Sequence, residues 1–299
     1  MTDPLSEVIS LLRPGSVLSK GISGAGRWGV RYSAFGHPSF CAVLEGGCLL
    51  SVDGHAPIAL EAGDFVLMPA TPGFAMTGFE PPAMLRKMDP HASASQQAEL
   101  RHGRQSGPPD VRLLGGYFVF ESPDAPLLVS LLPQLVHVRG QVRLAALVQL
   151  VGDEAREQRA GRELVLTRLA EVLLIEALRS SGGASAAPGL VRGLADARLA
   201  AAIRQMHEKP SQPWTVAQLA DEAALSRSAF FERFSRAVGL APMEYLVAWR
   251  MALAKKLLRG GELALAEVAE RVGYSSASTF STAFSRHVGQ PPARYARAG

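Results

Sequence analysis

Hydrophobic and polar positions change rhythm along this chain. Through residues 15–120, short apolar runs at 40–44, 48–52, 65–68 and 117–120 are separated by turn-forming clusters. These are Glu45-Gly46-Gly47, Asp53-Gly54 and Glu61-Ala62-Gly63-Asp64. Short strands with such punctuation predict a β-sandwich or barrel, with residues 40–44 and 48–52 as two arms of one hairpin. From 125 to 180 the period becomes helical. Residues 127–138 and 142–151 are apolar, and Val165, Leu169, Val172 and Leu173 recur at mixed spacings of three and four, with Leu178 following. Residues 180–189 are small, uncharged and rich in Ser, Gly and Ala, the composition of a linker. Beyond them the helical period returns and runs to the end.

That final stretch repeats itself. Phe230, Phe234, Arg236, Val238, Gly239, Pro242 and Tyr245 recur 50 residues later as Phe280, Phe284, Arg286, Val288, Gly289, Pro292 and Tyr295. Ala220 and Ala269 match at an offset of 49, so the second copy carries one extra residue in its turn. Each copy reads as a short helix, a tight turn and a second helix, the pattern whose second helix enters a DNA major groove. Thr215 is placed to cap the first helix of the first copy, and Ser226 and Ser276 the second helix of each. Residues 242–258 predict a connecting helix about 25 Å long. Major grooves on one DNA face lie about 34 Å apart, a comparable span. Leu246, Trp249 and Leu253 are expected to glue this helix to both copies.

Phenylalanines four apart share a helix face and pack inward. In the first copy this leaves Ser228, Phe231 and Glu232 as candidate base contacts, and Arg227, Arg233, Ser235 and Arg236 as candidate phosphate contacts. Phe231 fits a core face as well as a groove. In the groove it would meet a thymine methyl, and Glu232 would accept from a cytosine amino group. The second copy offers Ser278, Ser281, Thr282 and Ser285. Ser278 and Thr282 are the base candidates, and Ser276 and Arg286 the phosphate candidates. Hydroxyls discriminate bases weakly, so this copy is expected to supply affinity and register.

Trp214-Thr215, Ser226-Arg227-Ser228, Trp249-Arg250-Met251, Val272-Gly273-Tyr274 and Gln290-Pro291-Pro292 resemble the DNA-binding domain of the AraC/XylS family of transcription regulators. The resemblance runs from about residue 195 to 296. Family members often carry Trp, Gln or Arg where this chain has Ser228, Phe231 and Glu232, so the operator does not transfer. The resemblance implies double-stranded promoter DNA as partner, a homodimer, and contact with RNA polymerase if the outcome is activation, the commoner family outcome.

Leu60-Glu61-Ala62-Gly63-Asp64-Phe65-Val66-Leu67-Met68-Pro69 resembles a motif of the cupin fold, the sensor half of a subgroup of that family. A small-molecule effector is then expected, with Trp28, Phe40, Leu50, Val66, Met68 and Phe74 as pocket or core residues. Cupin enzymes use a His-x-His pair, a carboxylate and a later His. Residues 40–50 contain no His, and Ala70-Thr71-Pro72-Gly73-Phe74 stands where the late His belongs. No metal, cofactor or catalytic residue is therefore expected, and an enzyme with a DNA-binding tail is the weaker alternative. A ligand-independent architectural DNA binder is a further one. Cys41 and Cys48 raise a redox or electrophile sensor as another alternative, which requires exposed thiols of lowered pKa.

Charge adds a modest bias. Residues 199–299 carry 13 Lys and Arg against 8 Asp and Glu, a net of +5, while residues 1–198 carry −1. A basic C-terminal half suits a polyanion. There is no apolar run long enough for a membrane span and no signal-peptide pattern at the start, so a cytoplasmic location is expected. The expected organisation is two-domain β + α. A cupin-like barrel occupies 1–124, dimerisation helices 125–180, a flexible linker 181–194, and an all-α domain with two helix-turn-helix units and a linker helix 195–299.

Overall fold

The computed structural model describes residues 3–12, 14–89, 99–120, 125–157, 159–180 and 188–297. The N-terminal half begins with helix α1 (Pro4–Leu12). A curled sheet follows: β1 (Pro14–Ala25), β2 (Gly29–Tyr32), β3 (Ser39–Val52), β4 (Ile58–Glu61), β5 (Asp64–Met68), β6 (Phe74–Thr77), β7 (Arg86–Met88), β8 (Glu99–Gly103) and β9 (Val111–Phe120). Strand β3 joins the two halves of the curl. Its first part pairs antiparallel with β9 and β5, and its second part with β4 and β6.

The hairpin expected at residues 40–52 is not there, because β3 runs unbroken through Glu45-Gly46-Gly47. Those residues form a register irregularity instead. Pairing with β9 shifts between Val43 and Glu45, and Gly46 adopts φ +70°. A side chain at Gly46 would strike the carbonyl of Asp110, so only glycine lets the two strands close here. The irregularity also flips the phase of the strand. Cys41 and Val43 point into the barrel before it, and Cys48, Leu50 and Val52 point into the barrel after it.

Two short elements follow the barrel, α2 (Ala125–Val129) and strand β10 (Val136–Arg139). The sequence predicted one helical segment over 127–138. The chain instead breaks near Pro133, and β10 extends the sheet by pairing with β5. An apolar run this short fits either period, and the unpaired edge of β5 decides for strand. Helices α3 (Val142–Arg156) and α4 (Arg162–Ser180) pack on each other and on the outer face of β1.

The C-terminal half is helical throughout: α5 (Leu190–Ala195), α6 (Ala197–Glu208), α7 (Val216–Glu222), α8 (Arg227–Val238), α9 (Pro242–Gly260), α10 (Leu265–Arg271), α11 (Ala277–Val288) and α12 (Pro292–Arg297). Part of the expected linker is thus helix. Residues 181–187 of that linker lie outside the described residues.

The two halves share one core. Leu5, Ile9, Leu128 and Leu132 from the N-terminal half join Leu199, Ile203, Tyr245 and Trp249 in a single buried cluster. The Leu190 amide donates to the Leu131 carbonyl at 2.8 Å across the same junction. The barrel interior and the second helix-turn-helix form separate clusters.

Candidate functional site

The two copies are repeats in three dimensions as well as in sequence. Thr215 caps α7 through a reciprocal capping box with Gln218, and Ser226 and Ser276 cap α8 and α11 by accepting from the amides of Ala229 and Thr279. Helices α8 and α11 are each 12 residues long and each ends in a left-handed glycine, Gly239 or Gly289. Phe230 and Phe234 lie 5.5 Å apart and tilted by 53°, and Phe280 and Phe284 lie 5.5 Å apart and tilted by 54°. Tyr245 meets Phe234 edge-on at 5.7 Å, as Tyr295 meets Phe284 at 5.4 Å. The inserted residue of the second copy falls in its turn, where Tyr274-Ser275-Ser276 replaces Leu225-Ser226.

Burial separates the faces. Phe230 and Phe234 are fully buried, whereas Phe231 is 45 % exposed. The core reading of Phe231 is thereby excluded. Ser228, Glu232, Arg227 and Arg236 share its exposed surface. In α11, Ser278, Thr282 and Arg286 are exposed. The hydroxyls of Thr282 and Ser281 donate to the carbonyls of Ser278 and Ala277, which leaves them as acceptors toward a ligand.

Three predicted phosphate contacts are placed otherwise. The Ser235 hydroxyl is buried without a partner among the described residues, so it does not face a groove. Arg233 bonds through Nε to Asp196, the cap of α6, and that bond holds the Asp196 carboxyl below its ordinary value against the opposing effect of burial. Ser276 remains exposed, but its oxygen caps α11 and faces the Thr279 hydroxyl at 2.9 Å. Leu246 and Trp249 pack into the first unit, while Leu253 touches the clusters of both.

A cavity of about 1380 Å³ opens in the N-terminal half between the curled sheet and α3. Phe40, Leu50, Val66, Met68 and Phe74 border it, together with Tyr32, Cys41, Met76 and Leu113. Trp28 lies elsewhere, stacked on the buried imidazole of His102 at 5.8 Å. Lys20, Glu45, Arg112, Asp153 and Arg156 are charged members of the cavity lining.

The thiols do not meet the needs of a redox sensor. Cys41 and Cys48 are both buried and free. Burial pushes the Cys41 thiol far up, and burial followed by the charge of Asp64 pushes Cys48 up to about 12. Neither supplies the thiolate that oxidation requires. Their placement in the barrel is a consequence of the β3 phase flip, which spacing alone does not disclose. Among the described residues, no three of His, Cys, Asp and Glu gather as a metal-binding set.

One contact had no signal in the sequence. His207 of α6 is buried. Its Nδ1 lies 2.7 Å from the Glu7 carboxylate of α1 and its Nε2 lies 2.7 Å from the Tyr245 hydroxyl. Its ring stacks on Trp249 at 3.9 Å. Only its place on the apolar face of α6, beside Ile203 and Met206, marked it as buried.

Comparison with known proteins fits this geometry. A family model described as a cupin matches residues 3–181, and one described as a helix-turn-helix domain matches residues 219–298. A putative AraC-like transcription regulator of Streptomyces lividans is 37 % identical over 98 % of this chain and 97 % of its own length. The chain belongs to the AraC family of transcription regulators. A second AraC-like relative, from Streptomyces antibioticus, is 38 % identical over 98 % of both chains. The regulator AlkR of Acinetobacter baylyi is 33 % identical over 56 % of this chain and 57 % of its own. This AraC-family regulator therefore couples a cupin-like N-terminal domain to a DNA-binding domain with two helix-turn-helix units. No described helix is long and apolar enough to cross a membrane.

Proposed function

We propose that the regulator binds promoter DNA through α8 and α11 together, as a homodimer whose cupin-like cavity takes a small-molecule effector. The observation that carries the DNA part is the matched pair of Ser-capped helices, each with one face buried by two phenylalanines and the other exposed. On this reading Ser228, Phe231 and Glu232 of α8 and Ser278 and Thr282 of α11 meet bases, while Arg227, Arg236 and Arg286 meet phosphates. Arg227, Arg236 and Arg286 have no ion-pair or hydrogen-bond partner among the described residues, which leaves their charge available to DNA. Selection of bound sequences from a random duplex library tests it. Two conserved segments about one helical turn apart are expected; a single segment overturns joint reading by both units.

The sensing part is supported by the cavity, whose wall is largely apolar with a few charged groups among its lining. The dimer is supported by the outer face of α3 and α4, where Val142, Leu150, Leu164, Val165 and Val172 remain exposed. Activation, with RNA polymerase as the further partner, is the outcome we favour. Native mass spectrometry of protein purified without denaturant reads ligand and oligomer at once. A dimer carrying a reproducible small-molecule mass is expected. A monomer overturns the dimer. A clean dimer whose DNA affinity no compound in a broad library alters leaves an architectural binder in place of a sensor.

A further inference from the structure

Trp249-Arg250-Met251 lies in α9, and Val272-Gly273-Tyr274 lies in the turn between α10 and α11. The structure brings them together. Arg250 sits in the middle of α9 and is 8 % exposed, one of few buried charges among the described residues. Its Nε donates to the Pro210 carbonyl at 2.8 Å and its Nη2 to the Gln212 carbonyl at 2.7 Å. Both carbonyls belong to the segment that leads into the cap of the first helix-turn-helix. That segment is held at a third point, where the Trp214 indole donates to the Lys209 carbonyl at 3.0 Å.

The other side of the guanidinium meets the second unit. A side chain on Gly273, in the turn between α10 and α11, would fall 2.6 Å from Arg250 Nη2, 2.8 Å from its Cζ and 2.9 Å from the Pro210 carbonyl oxygen. Gly273 is left-handed, with φ +81°. Backbone conformation alone does not explain the glycine. The equivalent position of the first copy, Ala224, is also left-handed, at φ +50°, and carries a side chain. Alanine is strained there but tolerated, with the Arg198 guanidinium donating to the Ala224 carbonyl at 3.3 Å. Gly273 is needed for close approach, and what approaches is Arg250.

We infer that Arg250 is a positioning residue that fixes the rotational relation of the two helix-turn-helix units, and so sets the operator spacing the regulator accepts. Arginine suits the task because its planar fork satisfies two carbonyls at once while the guanidinium lies against the Gly273 turn. Lysine has three donors on a compact ammonium but lacks the rigid planar fork that spans both carbonyls in one geometry. Burial lowers the pKa of Arg250, with Tyr274 opposing. The role differs from base contact, since Arg250 is remote in function from the exposed faces of α8 and α11. Its effect reaches DNA only through the angle between them. One base pair inserted between two groove segments turns the second by roughly a tenth of a turn, so a rigid reader resists it and a loosened one does not.

The inference rests on joint engagement of DNA by both units. A footprint of the full-length protein on its selected operator checks that first, and protection of one segment alone removes both readings. With two segments protected, competition gel shifts compare that operator with versions carrying one base pair more or fewer between the segments. The wild type is expected to discriminate by about tenfold or more, a cost comparable to one mismatched contact. Arg250→Lys and Gly273→Ala should cut that ratio to about threefold or less, while Ala224→Gly keeps it; loss of one strong base contact corresponds to a similar range. Gly273→Ala displaces the guanidinium without removing it, so it decides the matter if Arg250→Lys fails to fold. An unchanged ratio in folded variants, including a uniform loss of affinity for all three operators, overturns the inference.

Discussion

Three phenylalanines in five positions of α8 illustrate how much one residue's exposure decides. Phe230 and Phe234 are fully buried and Phe231 is not. Truncating Phe230 to Ala should cost about 3–5 kcal/mol of stability, as for other buried aromatics. Phe231→Ala should leave the denaturation midpoint nearly unchanged and weaken binding to selected DNA. Chemical denaturation beside gel shifts separates the two, and equal loss of stability from both would place Phe231 in the core. Among charged residues, Glu232→Ala should relax base preference at one operator position. Arg236→Ala should weaken all sequences alike and lower the salt slope by about 1. Repeating the duplex selection with each variant, and measuring affinity against salt, checks this division. Identical sequence logos from both would contradict it. Residue identity on the recognition helices was legible because helical spacing fixes which side chains share a face. The engagement of Arg233 by Asp196 was not, since its partner lies on α6, outside the repeat.

At the scale of elements, capping residues and phenylalanine pairs located α7, α8 and α11, the repeat located α10, and the Pro and Gly flanking α9 located the connecting helix. These signals are local, and each is satisfied within a turn or two of its own residue. The strands were harder. Residues 40–52 look like two strands and a turn, yet Gly46 serves a register irregularity rather than a hairpin. The difference lies in β9, whose pairing runs past the Gly-Gly pair and keeps β3 extended. Residues 127–138 misled for a similar reason, because β5 supplied an edge for β10. The exposed apolar face of α3 and α4 carries an element-level prediction. Leu150→Glu with Val172→Glu should convert a dimer to a folded monomer, read by light scattering after gel filtration. A dimer persisting in the double variant would move the interface elsewhere.

For the molecule as a whole, the junction between the cupin-like half and the DNA-binding half matters most. His207 is pulled below its ordinary value of 6.5 chiefly by burial, with the Glu7 hydrogen bond and the charges of Glu7 and Asp3 opposing. The folded state therefore favours the neutral ring, while the unfolded chain takes up a proton near 6.5. The stability that burial of this ring contributes is complete above 6.5 and is lost as pH falls below it toward the lowered folded pKa. His207→Gln should flatten that part of the stability profile, measured by urea denaturation across the range. A variant with the same pH slope as the wild type would assign the slope to other groups.

The sequence by itself determined the two recognition units, their caps and the family to which they belong. These depend on contacts within about fifty residues that repeat in the same order. Only the tertiary structure decided the fate of the thiols, the continuity of β3 and the docking of Glu7 on His207, 200 residues away in the chain. It alone placed Arg250 between two loops. Burial and strand phase depend on which distant surface covers a residue, and a linear pattern records the residue without recording its cover.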